Sequence, residues 1–305
     1  MRDQPIRVLR LEGSPEEMGE RHGASYREEI RGYVEDRVAR SAEGADRAEV
    51  LSLARAMLVA HDRYSPNLAR EMRAMADAAG ISPEEAMIVG GYTDFIDTVR
   101  AAFGRGPMED NCTAVIVPDG VGATGGFLAQ TWDMHASATP HIVMLDLRPD
   151  GPPGSLVFST VGCLGQIGMN EAGICVGINN LAADDGRIGV TWPFVVRRIL
   201  EQTDIKDALD CVLEADLAGG HNFLLFDSRG EGYSVEAMPT ARHVFVLDDE
   251  PMIHTNHCLV PSTKAVEATR PDSLVLSSVN RLDSARSLLE TRPITIEDLS
   301  ALTSA

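Results

Sequence analysis

The chain has 305 residues, 44% of them hydrophobic and 24% charged, which is enough to bury the core of one large domain or two modest ones. A formal net charge of -19 repels phosphate backbones and argues against nucleic acid as a partner. No apolar run approaches the roughly 20 residues of a membrane span, and the polar start Met1-Arg2-Asp3-Gln4-Pro5 has no signal-like apolar stretch behind it, so no membrane partner and a cytoplasmic location are expected.

Ser14-Pro15-Glu16-Glu17 reads as a helix start, with Ser as N-cap, Pro at the first helical position and Glu at the capping-box position. Ser82-Pro83-Glu84-Glu85 repeats the signature. Between them, Glu49 to His61 and Asn67 to Ala79 are helical stretches rich in Ala, Arg and Glu, with Gly80 as a stop. The helix after Ser82 is expected to run towards Phe103, so residues 1–111 read as a helical N-terminal segment. Gly104-Arg105-Gly106-Pro107 breaks the pattern, and from Cys112 the texture changes to strands.

Thr113 to Val117, Phe127 to Trp132 and His141 to Leu147 are short runs of β-formers. A hairpin is expected from Gln166 to Ile178, turning at Asn170-Glu171-Ala172-Gly173. Helices follow near Pro193 to Glu201 and Ile205 to Glu214, then strands at Asn222 to Phe226, Gly232 to Glu236 and His243 to Val246. Helices near Asn280 to Leu289 and Ile296 to Leu302 close the chain. This order implies an α+β protein, with sheets packed together and covered by helices.

The five cysteines, Cys112, Cys163, Cys175, Cys211 and Cys258, are odd in number and form no C-x-x-C pair. Neither a disulfide framework nor a structural zinc site is expected, and most should be small buried hydrophobes. His254-x-x-His257 is not a metal motif either, because strand geometry points the two rings to opposite faces while residues 254 and 256 share one. His22 and His135 have no papain-like surroundings, and Gly162, Gly165 and Gly168 lack the strand–turn–helix context of a nucleotide loop. No cofactor is implied.

Asn111-Cys112-Thr113 stands where a loop enters the first strand, a position where a cysteine is ordinarily just buried. Its context is distinctive. Gly13 to Gly19 with His22-Gly23, Asn111-Cys112-Thr113, Gln130-Thr131-Trp132-Asp133, Gly162 to Gly165, and Gly168 to Gly173 follow one another. Gly177-Ile178-Asn179-Asn180, His254-Thr255-Asn256-His257 and Ser278-Val279-Asn280-Arg281 complete the series. In this order the segments resemble the penicillin acyltransferase family, the C45 peptidases of the N-terminal nucleophile superfamily. The resemblance implies a four-layer αββα sandwich, with the helical N-terminal segment wrapped against the catalytic segment 112–305. Relatives usually continue past the helix after Arg281 with further strands.

The resemblance also implies chemistry. A thiol is a weak nucleophile until deprotonated. A cysteine at a chain terminus carries its own base, since an α-amine has a pKa of about 7.7–8.0. The family frees that amine by attack of the thiol on the preceding carbonyl, here the Asn111–Cys112 bond, leaving residues 1–111 and 112–305 as a heterodimer. Relatives usually have Gly at the position of Asn111, a residue that still tolerates unusual backbone angles. Asp133 matches the aspartate that orients the amine and is expected on the strand beside Cys112. Asn256 matches an oxyanion donor, expected at a strand end facing a solvated cleft, and Asn180 is a second candidate. Arg281 matches a cation that holds the thiolate and fixes Asp133. Gln130 stands where the related bile salt hydrolases and penicillin V acylases have Arg, which favours the penicillin acyltransferase branch. The implied activity is hydrolysis of a small-molecule linear amide through a Cys112 thioester. Acyl transfer to an amine, or an uncleaved binding relative, are the alternatives.

Overall fold

The computed structural model describes residues 5–43, 45–104 and 112–301, so Asn111 lies outside the described residues. The chain opens with a strand the local pattern does not announce, β1 (Val8–Gly13). Next comes α1 (Pro15–Ser25), where the Ser14 hydroxyl accepts from Glu17 N and the Glu17 carboxylate accepts from Ser14 N. Such reciprocal caps satisfy backbone donors that the first helical turn leaves over. α2 (Arg27–Ser41) and α3 (Arg47–Tyr64) follow, the latter boxed by Asp46 and Glu49. α4 (Pro66–Ala79) stops where Gly80 takes a left-handed φ of 72°.

The run expected from Ser82 to Phe103 is two helices, α5 (Pro83–Gly90) and α6 (Tyr92–Phe103). The break falls at Gly91, where a Cβ would lie 2.3 Å from the Thr191 side chain. A contact made about a hundred residues away in sequence thus excludes any larger residue at the boundary.

From Cys112 the chain continues with β2 (Ala114–Val117), β3 (Phe127–Gln130), β4 (Ile142–Pro149), β5 (Ser155–Thr160), β6 (Ile167–Asn170) and β7 (Ile174–Leu181). α7 (Trp192–Leu200) and α8 (Ile205–Leu213) lead to β8 (Gly220–Asp227), β9 (Gly232–Ala237), β10 (Arg242–Val246) and β11 (Met252–His254). α9 (Pro261–Lys264), α10 (Asp272–Leu288) and α11 (Ile296–Ala301) close it, α10 starting well ahead of the expected Asn280.

Eight strands form one sheet in the order β1-β4-β5-β6-β7-β8-β9-β10, antiparallel except where β1 runs parallel to β4. A second, three-stranded sheet has the order β11-β2-β3. Strand alternation sorts the side chains into layers. Val143, Leu145 and Val157 point from the large sheet into the main core with the helices, including α7 and α8. Leu224 and Phe226 point the other way, against Ala114, Ile116 and Leu128 of the small sheet. The outer face of the small sheet, Val115 and Val117, packs on Leu289 and Ile294 beside α10 and α11. The order helix, sheet, sheet, helix is the four-layer α+β sandwich. Each fully buried large apolar side chain contributes about 1.5–3 kcal/mol.

The N-terminal helices share the main core, with Phe95 and Met57 beside Phe194 and Leu200. A buried ion pair reinforces the junction: Arg197 Nη1 and Nη2 each meet a Glu71 carboxylate oxygen at 2.8 Å. Among the described residues no helix is long and apolar enough to cross a membrane.

Candidate active site

The small sheet fixes the surroundings of Cys112. Its registers set His254 and Gln130 on either side of Ala114. Continued past the strand ends, the same registers put Asn256 on one side of Cys112 and Trp132 on the other. Hydrogen bonds hold that continuation. Cys112 N donates to Asn256 Oδ1 at 2.8 Å, Thr131 N to Thr113 O at 2.9 Å, and Thr113 N to Thr131 Oγ1 at 3.0 Å.

Arg281 reaches in from α10. Its Nη1 donates to Cys112 O at 2.6 Å and to Thr113 Oγ1 at 3.0 Å, and its Nη2 to Asn256 Oδ1 at 2.8 Å. A planar fork can serve these acceptors together, which an ammonium cannot. Asn256 Oδ1 therefore takes two donors, while Asn256 Nδ2 donates to the Asn180 carbonyl at 3.1 Å. Asn256 is wholly buried, which corrects the expectation of a solvated cleft. The cause is α10: Ser278 Oγ accepts from Asn256 N at 2.9 Å and Arg270 donates to Asn256 O, so the segment is folded under the helix.

Asp133 lies in the coil beyond β3, not on the strand as expected. The regular strand ends at Gln130, whose Oε1 accepts from Ile178 N at 2.7 Å and ties β3 to β7. Partial burial nudges the Asp133 carboxyl above its ordinary range, and the Arg281 charge opposes that shift. Asn180 enters near the end of β7, half-buried. Cys112, Asn256, Asn180 and Arg281 thus form one hydrogen-bonded group, with Asp133 joined to it through the field of Arg281.

His254 and His257 do not converge on an ion. His254 Nδ1 faces Thr255 O at 2.8 Å and its Nε2 faces Glu236 at 3.0 Å, so both ring nitrogens are occupied by oxygen acceptors. Burial pushes the Glu236 carboxyl up, but bonds from His254 and Thr263 outweigh it and hold the group below its usual range. His257 Nδ1 meets Ser278 Oγ at 2.8 Å, and burial, aided by His254, lowers its pKa to about 4. Among the described residues no group of three or more His, Cys, Asp or Glu is placed to hold a metal. His22 Nε2 accepts from Gly162 N at 3.1 Å in the core, and burial lowers its pKa to about 4. His135 sits beside Arg40. Gly162 and Gly165 lie in the turn between β5 and β6, and Gly168 lies within β6.

Sequence reading missed Ser278, Arg270, Thr131 and the His254–Glu236 pair. One signal was present: Ser278 and Arg281 are three residues apart, hence on one face of a helix.

The residues present can do the following. They clamp the nitrogen and the carbonyl of one buried cysteine, and they set a guanidinium and the Asn256 side-chain amide beside it, that amide held in turn by the Asn180 carbonyl. The family model described as acyl-coenzyme A:6-aminopenicillanic acid acyl-transferase matches residues 121–301, a span that contains Asp133, Asn180, Asn256 and Arg281. The acyl-coenzyme A:6-aminopenicillanic-acid-acyltransferase 40 kDa form of Emericella nidulans is 24% identical over 264 residues, covering 85% of this chain and 71% of the relative. A penicillin V acylase from Agrobacterium tumefaciens aligns at 13% identity and a TM-score of 0.28, covering 64% of each chain. A variant of the conjugated bile acid hydrolase from Clostridium perfringens aligns at 9% identity and a TM-score of 0.24, covering 50% of this chain and 48% of that one. The chain thus spans less than two thirds of either solved structure, and at these scores neither likeness bears on the fold. The family match covers more than half of the chain and takes in four of the five residues assembled here: the chain belongs to the acyl-coenzyme A:6-aminopenicillanic acid acyl-transferase family.

Proposed function

We propose that this protein is a self-processing amidohydrolase whose nucleophile is Cys112, freed as a new N-terminus by cleavage of the Asn111–Cys112 bond. The observation that carries this reading is the double clamp on the Cys112 backbone, its nitrogen on Asn256 Oδ1 and its carbonyl on Arg281. Any buried backbone N–H and C=O needs a partner; at Cys112 both partners are side chains, drawn from β11's end and from α10. In the uncut chain Cys112 N offers Asn256 an amide hydrogen. After cleavage an amine would donate one hydrogen to the same oxygen and keep its lone pair for the thiol proton.

The thiolate then adds to the substrate carbonyl. The second hydrogen of Asn256 Nδ2 serves the oxyanion, with Asn180 the second candidate donor; one such donor is typically worth about 10²–10³ in rate. Collapse breaks the C–N bond, the ammonium returns its proton to the leaving amine, and a Cys112 thioester remains. Water adds to the thioester, releasing the acid and restoring the thiol. Asp133 and Arg281 hold the charges in place across both steps. The burial of Cys112 keeps bulk water from the thiolate.

The family match favours a second reading, in which an acceptor amine replaces water at the thioester and the product is a new amide. The substrate in either case is a small-molecule amide, and residues 1–111 and 112–305 stay together as a heterodimer, without nucleic acid, membrane or cofactor, in the cytoplasm. Intact-mass measurement tests the shared premise. Wild type should give two polypeptides and Cys112→Ala one; a folded wild type that stays uncut on prolonged incubation sinks the reading.

A further inference from the structure

The small sheet has three strands and the large one eight, so it covers only part of the large sheet's face. Contacts between the sheets run from β3 to β7 and from β2 to β7 and β8. On the far side of β3 the face of β4, β5 and β6 forms an open groove of about 550 Å³. Met144, Leu156, Phe158, Met169 and Cys175 floor it, and Leu128 of β3 is its wall. Register explains the lining: Met144 pairs with Phe158, Leu156 with Met169, and Met169 with Cys175, so all point to the same face. Leu156 and Met169 are 45% and 50% exposed, although large apolar side chains on strands are normally covered.

Phe158 links the groove to the neighbourhood of Cys112. Trp132, opposite Cys112 in the continued register, packs edge-on against Phe158 with ring centroids 5.4 Å apart. Trp132 thus stands between the Cys112 position and the groove, in contact with a residue of its floor. Resting on the catalytic reading above, we propose that this groove is the acyl subsite, and that the preferred substrates are amides of straight, apolar acyl chains. The carbonyl lies at Cys112, the chain runs past Trp132, and its distal methylenes rest on Leu156 and Met169. The floor offers sulfur, aliphatic and aromatic contacts and no cation. Asp227 and Ser228 lie at its rim, Asp227 paired with Arg229, so an anionic acyl group is disfavoured.

The test is a series of N-acyl amides sharing one amine, with acyl groups from acetyl to long straight chains. In wild type kcat/KM should rise by up to roughly fourfold per added methylene until the groove is full. In the Leu156→Ser/Met169→Ser double variant the long-to-short ratio should fall by roughly tenfold or more, because each change removes apolar contact from an exposed strand position. A second readout needs no turnover. In Cys112→Ala with Trp192→Phe, a fatty acid brominated along its chain should quench Trp132 fluorescence, and an unbrominated one should not. Wild type that cleaves short and long amides equally well, or cleaves long ones without quenching by the brominated acid, overturns the groove and leaves the catalytic reading standing. No turnover of any amide in the series overturns the catalytic reading and the acyl subsite with it.

Discussion

Arg281 is the sharpest place to test the clamp. Its Nη1 holds Cys112 O and Thr113 Oγ1, and its Nη2 holds Asn256 Oδ1. Arg281→Met removes the fork but keeps an apolar stem in the half-buried site. A hydrogen bond to a charged group is worth about 1.5–3 kcal/mol net, and each 1.36 kcal/mol is tenfold in rate. If the oxyanion of self-cleavage forms only while Asn256 and Cys112 are held in register, processing should slow by about 10- to 150-fold. Arg281→Lys should fall between, since one ammonium cannot meet all the acceptors at once. The assay follows the uncut fraction with time by intact mass, beside a thermal melt of each variant. The melt matters because the same change leaves buried acceptors short of donors. Folded Arg281→Met that processes at the wild-type rate would refute the clamp.

Glu71→Ala should cost about 3–5 kcal/mol, because it strands the buried Arg197 guanidinium, whereas Glu71→Met/Arg197→Met should recover much of the loss; equal melts for single and double variants would contradict this. Burial raises the Asp97 carboxyl from 3.8 to about 7, against the pull of Arg100 and two backbone donors. The folded state therefore keeps a proton that the unfolded chain has released. This site's contribution to stability should fall as pH rises from about 4 to about 7, by an amount on the order of a few kcal/mol; urea melts across that window should show the slope in wild type and lose it in Asp97→Asn. Elemental analysis should find no stoichiometric metal, since both His254 nitrogens are already engaged. A zinc lost on His254→Ala/His257→Ala would overturn that.

What could be read from the sequence was whatever is encoded locally. The boxes at Ser14 and Ser82 and the stop at Gly80 depend on residues a few positions apart, and the helices begin and end there. β1 escaped notice because its partner β4 lies well over a hundred residues on and its half-exposed residues show no clean alternation. The break at Gly91 had a local signal in Gly90-Gly91, with Thr191 adding the packing that keeps the site small, whereas the burial of Asn256 depends on Ser278 and Arg270, which no local window contains. Cys112, Asn256, Asn180 and Arg281 were legible only through an ordered series of motifs. Composition and periodicity would have left them as a core cysteine, two turn residues and a surface charge. Asp133 was expected on the strand because β-forming residues run on to Trp132, while the regular strand ends at Gln130.

The strand β1 has a consequence for how the protein would unfold if it is cut before Cys112 as proposed. It completes the edge of the large sheet, and the helices behind it share one core with α7, α8 and β4. Tyr64 Oη reaches Cys211 O at 2.7 Å and Asp94 takes Trp192 N at 2.6 Å, so the two sides of the Cys112 bond are laced together at many points. Before cleavage, unfolding and refolding of this sheet are first-order events within one chain. After the proposed cleavage the same transition would have a different molecularity: two polypeptides would part on unfolding and have to meet again to refold, so recovery would depend on concentration. A cut chain diluted after denaturation should refold poorly, while an uncut Cys112→Ala chain refolds at any dilution. The bond before Cys112 would then act as a ratchet on the fold as well as a switch for the chemistry.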